Sequence, residues 1–186
     1  MRKYLALALA LFLLAAILPA CSSGPGGSST NFRLFVSDQP TEISNFYSVN
    51  VTFSQVGVLR SGADNFTNYN ISPSVTADLT KLQGDNASAI WSGHVDPGDY
   101  TKVFVYVDSV KATLKNADGS AGPAADVKLP SNKLQISSPF TVKQDGTVSF
   151  VFDITIVKAG QSGQYILQPQ VAGSGPDKSF VDVTQK

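Results

Sequence analysis

The sequence contains one cysteine, one histidine and one glutamate among its 186 residues. One cysteine excludes a disulfide framework, so the fold has to be held together by its apolar core. One histidine, His94, excludes the ligand spacing of a zinc motif, and no nucleophile motif accompanies it. We therefore predict no catalytic residue, no metal site and no cofactor, and we expect a protein that is not an enzyme.

Charge of either sign is also scarce. Lys and Arg number 14, Asp and Glu number 14, and charged residues make up only 15% of the chain. Phosphate recognition requires clustered basic residues, so we predict that nucleic acid is not a partner. Most of the aspartates lie beside Gly, Pro or Asn, where turn formation explains them. A calcium site among these loops is an alternative that no Asp-x-Asp-x-Asp spacing supports.

The first 21 residues are organised like an export signal. Met1-Arg2-Lys3 is a basic start, residues 4–17 carry no charge, and Leu18-Pro19-Ala20-Cys21 follows. The apolar stretch is shorter than the ~20 residues that a membrane-spanning helix needs. Leu-Pro-Ala-Cys resembles a bacterial lipobox, which implies cleavage before Cys21 and a lipid on its sulfur. The alternatives are secretion after ordinary cleavage and an uncleaved anchor.

The predicted organisation has three parts. A lipoprotein signal peptide covers residues 1–20, the lipidated Cys21 and a flexible Gly/Ser tether cover residues 21–30, and a single domain covers residues 31–186. Two or more acyl chains give stable attachment where one is marginal. We therefore expect the membrane as a partner through Cys21. The expected location is the cell envelope, on the outer side of the cytoplasmic membrane or at the outer membrane.

The remainder of the chain consists of short runs with the period of two that half-buried strands have. In one run the apolar positions shift by one residue between Phe53 and Val56, which predicts a β-bulge or a strand that changes sheets. Asp145-Gly146 between two runs predicts a hairpin. Only residues 80–90 have room for a helical turn or two. We therefore predict an antiparallel β-sandwich of about eight to ten short strands.

Seven short motifs of turn and strand-end residues follow one another along most of this domain. They are Phe35-Val36-Ser37-Asp38-Gln39-Pro40, Val49-Asn50-Val51-Thr52-Phe53, Asp78-Leu79-Thr80-Lys81-Leu82-Gln83-Gly84, Pro97-Gly98-Asp99-Tyr100-Thr101, Leu129-Pro130-Ser131, Phe150-Val151-Phe152-Asp153 and Tyr165-Ile166-Leu167-Gln168-Pro169. Their number and order resemble the domain of unknown function 4382 family of envelope-associated bacterial and archaeal proteins. The resemblance implies a lipoprotein β-sandwich like carbohydrate-binding or prealbumin-like modules. It implies no known activity.

One run, residues 100–108, carries aromatic side chains at alternating positions. Its valines form a core face, and the pattern predicts that the other face carries Tyr100, Phe104 and Tyr106. Aromatic rings mixed with polar groups form platforms for sugar rings or for a partner protein. Packing in the core or beneath a loop is the alternative explanation for these rings, and also for Trp91.

Two functions from different classes follow from these observations. The first is a membrane-anchored, non-catalytic module that binds glycans or another envelope protein, with a candidate binding face at Tyr100, Phe104, Tyr106 and Trp91. The second is a structural spacer domain with no dedicated ligand. Exposed aromatic side chains would favour the binding module, and buried ones would favour the spacer.

The lipobox resemblance leads to a direct prediction. We expect the wild-type chain to enter the detergent phase in a phase-separation assay and the variant Cys21→Ser to stay in the aqueous phase, because only the thiol can carry the lipid. Mass spectrometry of the mature N-terminus checks for acyl groups, and Ser23→Ala is the matched control. Detergent partitioning of a wild-type protein without acyl mass on Cys21 would contradict the prediction.

Overall fold

The computed structural model describes residues 29–38 and 41–184. The predicted signal peptide at residues 1–20, Cys21 and all but the last two residues of the predicted tether lie outside this part of the chain. None of the helices in the described ranges is long and apolar enough to cross a membrane.

The described residues form an all-β fold with three short 3-10 helices at Glu42–Asn45, Leu79–Lys81 and Gly160–Ser162. In chain order the strands are β1 (Phe32–Asp38), β2 (Phe46–Arg60), β3 (Thr67–Asp78), β4 (Asn86–Gly93), β5 (Gly98–Lys115), β6 (Ala121–Ala125), β7 (Val127–Lys128), β8 (Lys133–Val142), β9 (Val148–Ala159), β10 (Gln164–Pro169), β11 (Gly175–Pro176) and β12 (Val181–Asp182). This is more than the eight to ten expected, since β7, β11 and β12 have only two residues each.

The strands form two sheets, which confirms the predicted β-sandwich. The smaller sheet has the order β3-β2-β5-β6, and β8 also pairs with β5. The larger sheet has the order β12-β4-β1-β9-β10-β7, and β11 also pairs with β9. The 18-residue β5 serves two partners, because its first half pairs with β8 and its second half with β6.

The centre of the larger sheet departs from antiparallel pairing. β1 and β9 run parallel, with Phe32 opposite Val148 at one end and Asp38 opposite Ile154 at the other. Parallel neighbours need a long crossover, and here the crossover consists of the whole smaller sheet together with β4 and β7. The first strand of the domain therefore lies next to one of its last.

The predicted bulge in β2 is confirmed. The pairing register shifts between Phe53 and Gln55 on both sides of the strand, against β3 and against β5. The extra residue moves the apolar set by one position, so that Phe53 and Val56 are both fully buried in the same core.

The predicted hairpin at Asp145-Gly146 is wrong. The strands on either side, β8 and β9, belong to different sheets, so this turn carries the chain across the sandwich. Gly146 has a φ of 146°, in the range that favours glycine. The Asp-Gly pair identified the turn but not the sheet that the next strand would join.

The two sheets enclose one main core of aromatic and branched side chains. Val103, Val105 and Phe150 are fully buried, as the sequence pattern predicts. The Phe150 ring lies 5.3 Å from Phe140 and 6.4 Å from Phe32 between ring centroids, and it links the two layers. Because the sequence has only one cysteine and so no intrachain disulfide, the two sheets are held together by this apolar packing.

Proline lies in every edge strand of the smaller sheet. Pro73 is within β3, Pro123 within β6 and Pro139 within β8, and each of these strands has only one neighbour in the sheet. Proline has no backbone N–H to donate to a sheet ladder and is therefore confined to edges and bulges.

Truncating the central ring tests the core. We expect Phe150→Ala in the full chain to lose about 3–5 kcal/mol of unfolding free energy, because it leaves a cavity that the two sheets cannot close. Chemical denaturation followed by far-UV circular dichroism measures this loss. The matched control is Tyr47→Ala, since Tyr47 is 51% exposed and should change stability little. Equal losses for the two variants would contradict this packing.

Candidate functional site

The outward face of the smaller sheet carries a group of polar and aromatic side chains, which we call the Tyr106 face. Cross-strand register defines it: Gln55 on β2 lies opposite Tyr106 on β5 and Asn70 on β3, while Lys133 on β8 lies on the other side of Tyr106. Residues opposite one another in a sheet point to the same face, so these four side chains form one row across four strands.

Phe104 forms the floor of the Tyr106 face. It is only 1% exposed, and its ring occupies the space over Gly57 on the neighbouring strand, where an added Cβ would clash with the ring. Phe66 packs edge-on against it with 4.2 Å between ring centroids. The Lys133 ammonium lies 5.1 Å from the Phe104 centroid and 5.3 Å from that of Phe66. Phe104 therefore supports the face without being open to a ligand.

Tyr106 is half-buried and borders a shallow depression of about 300 Å³. Its ring meets Phe104 edge-on at 5.2 Å between centroids, which fixes its orientation. Around the depression lie mainly polar side chains: Ser54, Gln55, Asn70, Asp108 and Asn132, together with Val107.

The polar groups around the depression are held in pairs. Gln55 Nε2 donates to Asn70 Oδ1 over 2.9 Å, and Ser54 Oγ donates to Asp108 Oδ1. Three polar atoms of these pairs make no hydrogen bond to another described residue: Asn70 Nδ2, Gln55 Oε1 and Asp108 Oδ2. The depression thus offers an aromatic ring beside fixed donors and acceptors, with little charge.

Tyr100 does not lie on this face, which corrects the sequence-based expectation. A register shift between Tyr100 and Lys102 turns the side chain inward, where it is only 4% exposed. The ring stacks on Phe140 at 5.2 Å between centroids, and its hydroxyl donates to the Asp96 carbonyl over 2.7 Å. Burial raises the pKa of Tyr100.

Trp91 lies apart from the Tyr106 face. It is on β4 of the larger sheet, half-buried, with its ring 6.2 Å from Phe32 and 4.9 Å from Tyr69 between centroids. Tyr69 comes from β3, so the indole packs between a strand of the larger sheet and a strand of the smaller one. The structure therefore brings Phe104 and Tyr106 together and separates both from Tyr100 and Trp91.

His94 follows β4 in a loop, as a partly exposed side chain. Its Nε2 lies 3.9 Å from Asp96 Oδ1, and its Nδ1 lies 3.3 Å from the carbonyl of Ser29. Neither contact involves a hydroxyl or a thiol that the imidazole could activate. Within residues 29–38 and 41–184, no three His, Cys, Asp or Glu residues lie close enough together to hold a metal ion.

Sequence reasoning did not single out a pair of buried aspartates, Asp38 at the end of β1 and Asp153 in β9. Each is only 1% exposed. Burial raises the pKa of Asp38 to about 8, and the negative charge of Asp153 adds to this shift. Burial also raises the pKa of Asp153, against the lowering effect of a hydrogen bond from Ser37 Oγ at 2.7 Å. One signal was present: neither aspartate is followed by Gly or Asn, as turn aspartates often are.

This geometry defines an all-β sandwich protein with a polar, aromatic-centred face on its smaller sheet. The model of the family described as Domain of unknown function (DUF4382) matches residues 29–169, well over half of the chain. The chain therefore belongs to the DUF4382 family. Comparison with curated proteins and with solved structures found no match.

The packing of the Phe104 ring over Gly57 can be tested by a substitution at this glycine. We expect Gly57→Ala to destabilise the full chain by about 1–3 kcal/mol, because the new methyl group displaces the Phe104 ring that lies over it. Chemical denaturation measures the change. In a Phe104→Leu background the same substitution should cost clearly less, since the clashing ring is absent. An equal loss of stability in both backgrounds would show that the effect of Gly57→Ala does not come from a clash with the Phe104 ring.

Proposed function

We propose that the chain is a lipid-anchored protein of the cell envelope whose β-sandwich binds a neutral glycan, without catalysis, at the Tyr106 face. The observation that carries this proposal is the depression beside Tyr106, where one half-buried ring is surrounded by amide, hydroxyl and carboxylate groups.

The chemistry of the depression suits a sugar ring. A pyranose has an apolar face of C–H groups that packs on an aromatic ring, and hydroxyl groups around its rim that need hydrogen-bond partners. Tyr106 supplies the ring, and the groups without a protein partner at Gln55, Asn70 and Asp108 supply donors and acceptors. These groups come from neighbouring strands rather than loops, so their positions are fixed before a ligand arrives.

The charge distribution supports a neutral ligand. Among the described residues, Asp108 is the only charged side chain that borders the depression, and the nearby Lys133 ammonium lies over the rings of Phe66 and Phe104. With one carboxylate and no cluster of either sign, the site has little to attract a polyanion. Binding should therefore depend weakly on salt concentration.

The position of the depression suits an anchored protein. The described chain begins at Ser29, next to His94 in the loop that leads into β5. Tyr106 lies eight residues beyond Gly98 along β5, and eight residues of an antiparallel strand span about 27 Å. A membrane anchor on Cys21 would therefore hold the domain by one end and leave the Tyr106 face at a distance from the lipid.

A retention assay tests the proposal. The full chain, reconstituted in detergent and immobilised, is exposed to a panel of neutral and acidic polysaccharides. We expect retention of a neutral polysaccharide, with affinity reduced by about three- to tenfold in Tyr106→Ala because stacking on the ring is lost. Tyr47→Ala is the matched control, since it removes an exposed tyrosine on β2 that does not border the depression.

The possible outcomes separate the two functions. Equal affinity for the Tyr106 and Tyr47 variants would place the binding site elsewhere on the molecule. Failure to retain any polysaccharide would favour a spacer domain with no dedicated ligand. Retention that falls steeply between low and high salt would contradict the neutral-ligand chemistry.

A further inference from the structure

A second depression, of about 420 Å³, opens at the end of the sandwich where β5 and β9 finish. We call it the sandwich mouth, and both sheets border it: Leu114 and Lys115 come from β5, and Lys158 and Tyr165 come from β9 and β10. Ser44, on the first 3-10 helix, also borders it. The loop that holds Ser29 lies before the other end of the 18-residue β5, so the sandwich mouth is remote from the start of the described chain.

The floor of the sandwich mouth is apolar and well packed. Phe46, buried at the start of β2, meets the half-buried Tyr165 ring edge-on with 4.7 Å between ring centroids. Leu114 lies opposite Phe46 in the register of β2 and β5. This contact between the two sheets holds the Tyr165 ring in one orientation beneath the depression.

Lys158 reaches the sandwich mouth from the larger sheet. It lies directly opposite Tyr165 in the antiparallel register of β9 and β10, so the two side chains share a face. Its ammonium lies 5.8 Å from the Tyr165 ring centroid, within range of a cation–π attraction. Its stem passes Gly163, with 3.5 Å between Cε and the place that a Cβ would take there. These contacts restrict the lysine before any ligand arrives, which lowers the entropy cost of binding.

Lys115 reaches the sandwich mouth from the smaller sheet. It is the last residue of β5, and the pairing with β6 shifts register just before it. The next residue, Asn116, is tied into the β5–β6 turn, since its Nδ2 donates to Ser120 Oγ and to the Ala121 carbonyl, each over 3.0 Å. The backbone that carries Lys115 is therefore fixed, and two ammonium groups border one depression from two sheets.

The sandwich mouth has no compensating negative charge among the described residues. No carboxylate borders it, and neither Lys115 nor Lys158 forms an ion pair with another described residue. Two acidic side chains lie in adjoining segments, Glu42 on the 3-10 helix and Asp118 in the β5–β6 turn. Each accepts a hydrogen bond from a neighbour in its own segment. Two like charges around one depression repel each other, and an anion between them removes that repulsion.

We propose that the sandwich mouth is an anion-binding site, which takes a sugar that carries a carboxylate or a phosphate. The anionic group lies between Lys115 and Lys158, and the rest of the sugar lies against Tyr165. Lysine attracts anions as a point charge without the fixed fork of arginine, so carboxylate and phosphate share this recognition chemistry.

The remaining groups of the sandwich mouth suit a sugar. The hydroxyls of Ser44 and Tyr165 make no hydrogen bond to another described residue, so they are open to ligand hydroxyls. A volume of about 420 Å³ lies within the range of small-ligand sites. None of the residues that border the sandwich mouth borders the depression beside Tyr106, so the two sites are independent.

Amide chemical shifts of the isotope-labelled full chain, in a non-ionic detergent at pH 7, test the site. The probes are glucuronate, glucose 6-phosphate and neutral glucose. We expect the two anions to shift amides of residues 44–46, 114–116 and 158–165 with a Kd of about 1 mM. Raising sodium chloride from about 20 to about 300 mM should weaken this binding at least about threefold, because the two ammonium groups are exposed and screened. Glucose should leave these amides unchanged.

Two substitutions locate the anion. We expect Lys115→Gln and Lys158→Gln each to weaken both anions about three- to tenfold, because each removes one of the two charges. Lys128→Gln is the matched control, since Lys128 is an exposed lysine on the neighbouring strand β7 that does not border the sandwich mouth. Amides of residues 54–56 and 106–108, at the depression beside Tyr106, should not respond to the anions.

The outcomes either support or overturn the site. Tighter binding of glucuronate would identify a carboxylate as the bound group, and tighter binding of glucose 6-phosphate would identify a phosphate. Equal losses in Lys128→Gln and Lys158→Gln would show general attraction to lysines and overturn the proposal. So would shifts of the same size with glucose, or unchanged amides at the sandwich mouth with both anions at about 20 mM.

Discussion

The parallel pairing of β1 with β9 is the constraint on which the larger sheet depends. It joins segments more than a hundred residues apart, and the loop that it closes contains the entire smaller sheet. Such a closure costs conformational entropy that local turns do not offset. The burial of Phe32, Phe150 and the side chains between them offsets this cost, because each strand contributes one side of the aromatic contacts in the core. β4 and β10 then extend the sheet on either side of this pair.

Sequence reasoning succeeded where structure is set by local periodicity. The one-residue shift between Phe53 and Val56 revealed a bulge because both residues have to reach the same core. The same reasoning failed at Tyr100, since the register shift next to it occurs within an unbroken run of strand-forming residues and leaves no change in pattern. It failed at the turn of Gly146 because turn chemistry does not specify the sheet that follows.

The candidate site shows the same division. The alternation of Phe104 and Tyr106 along one strand placed both on one face, and the structure agrees. Their different exposure depends on Gly57, a residue that is distant in sequence and whose missing side chain makes room for one ring. Asp38 and Asp153 are more than a hundred residues apart, so their proximity follows only from the parallel register. The proximity of two side chains that results from long-range pairing has no local signature.

The prolines at the two edges of the smaller sheet bear on crowding. Lipid-anchored molecules on one membrane share a plane and an orientation, so their sheet edges meet far more often than those of freely diffusing molecules. A bare edge strand would then act as a template for another copy. Pro73 in β3 at one edge, and Pro123 in β6 with Pro139 in β8 at the other, interrupt the row of N–H donors. In the anchored protein that we propose, these prolines would limit edge-to-edge pairing between neighbouring copies, which an uninterrupted edge would promote.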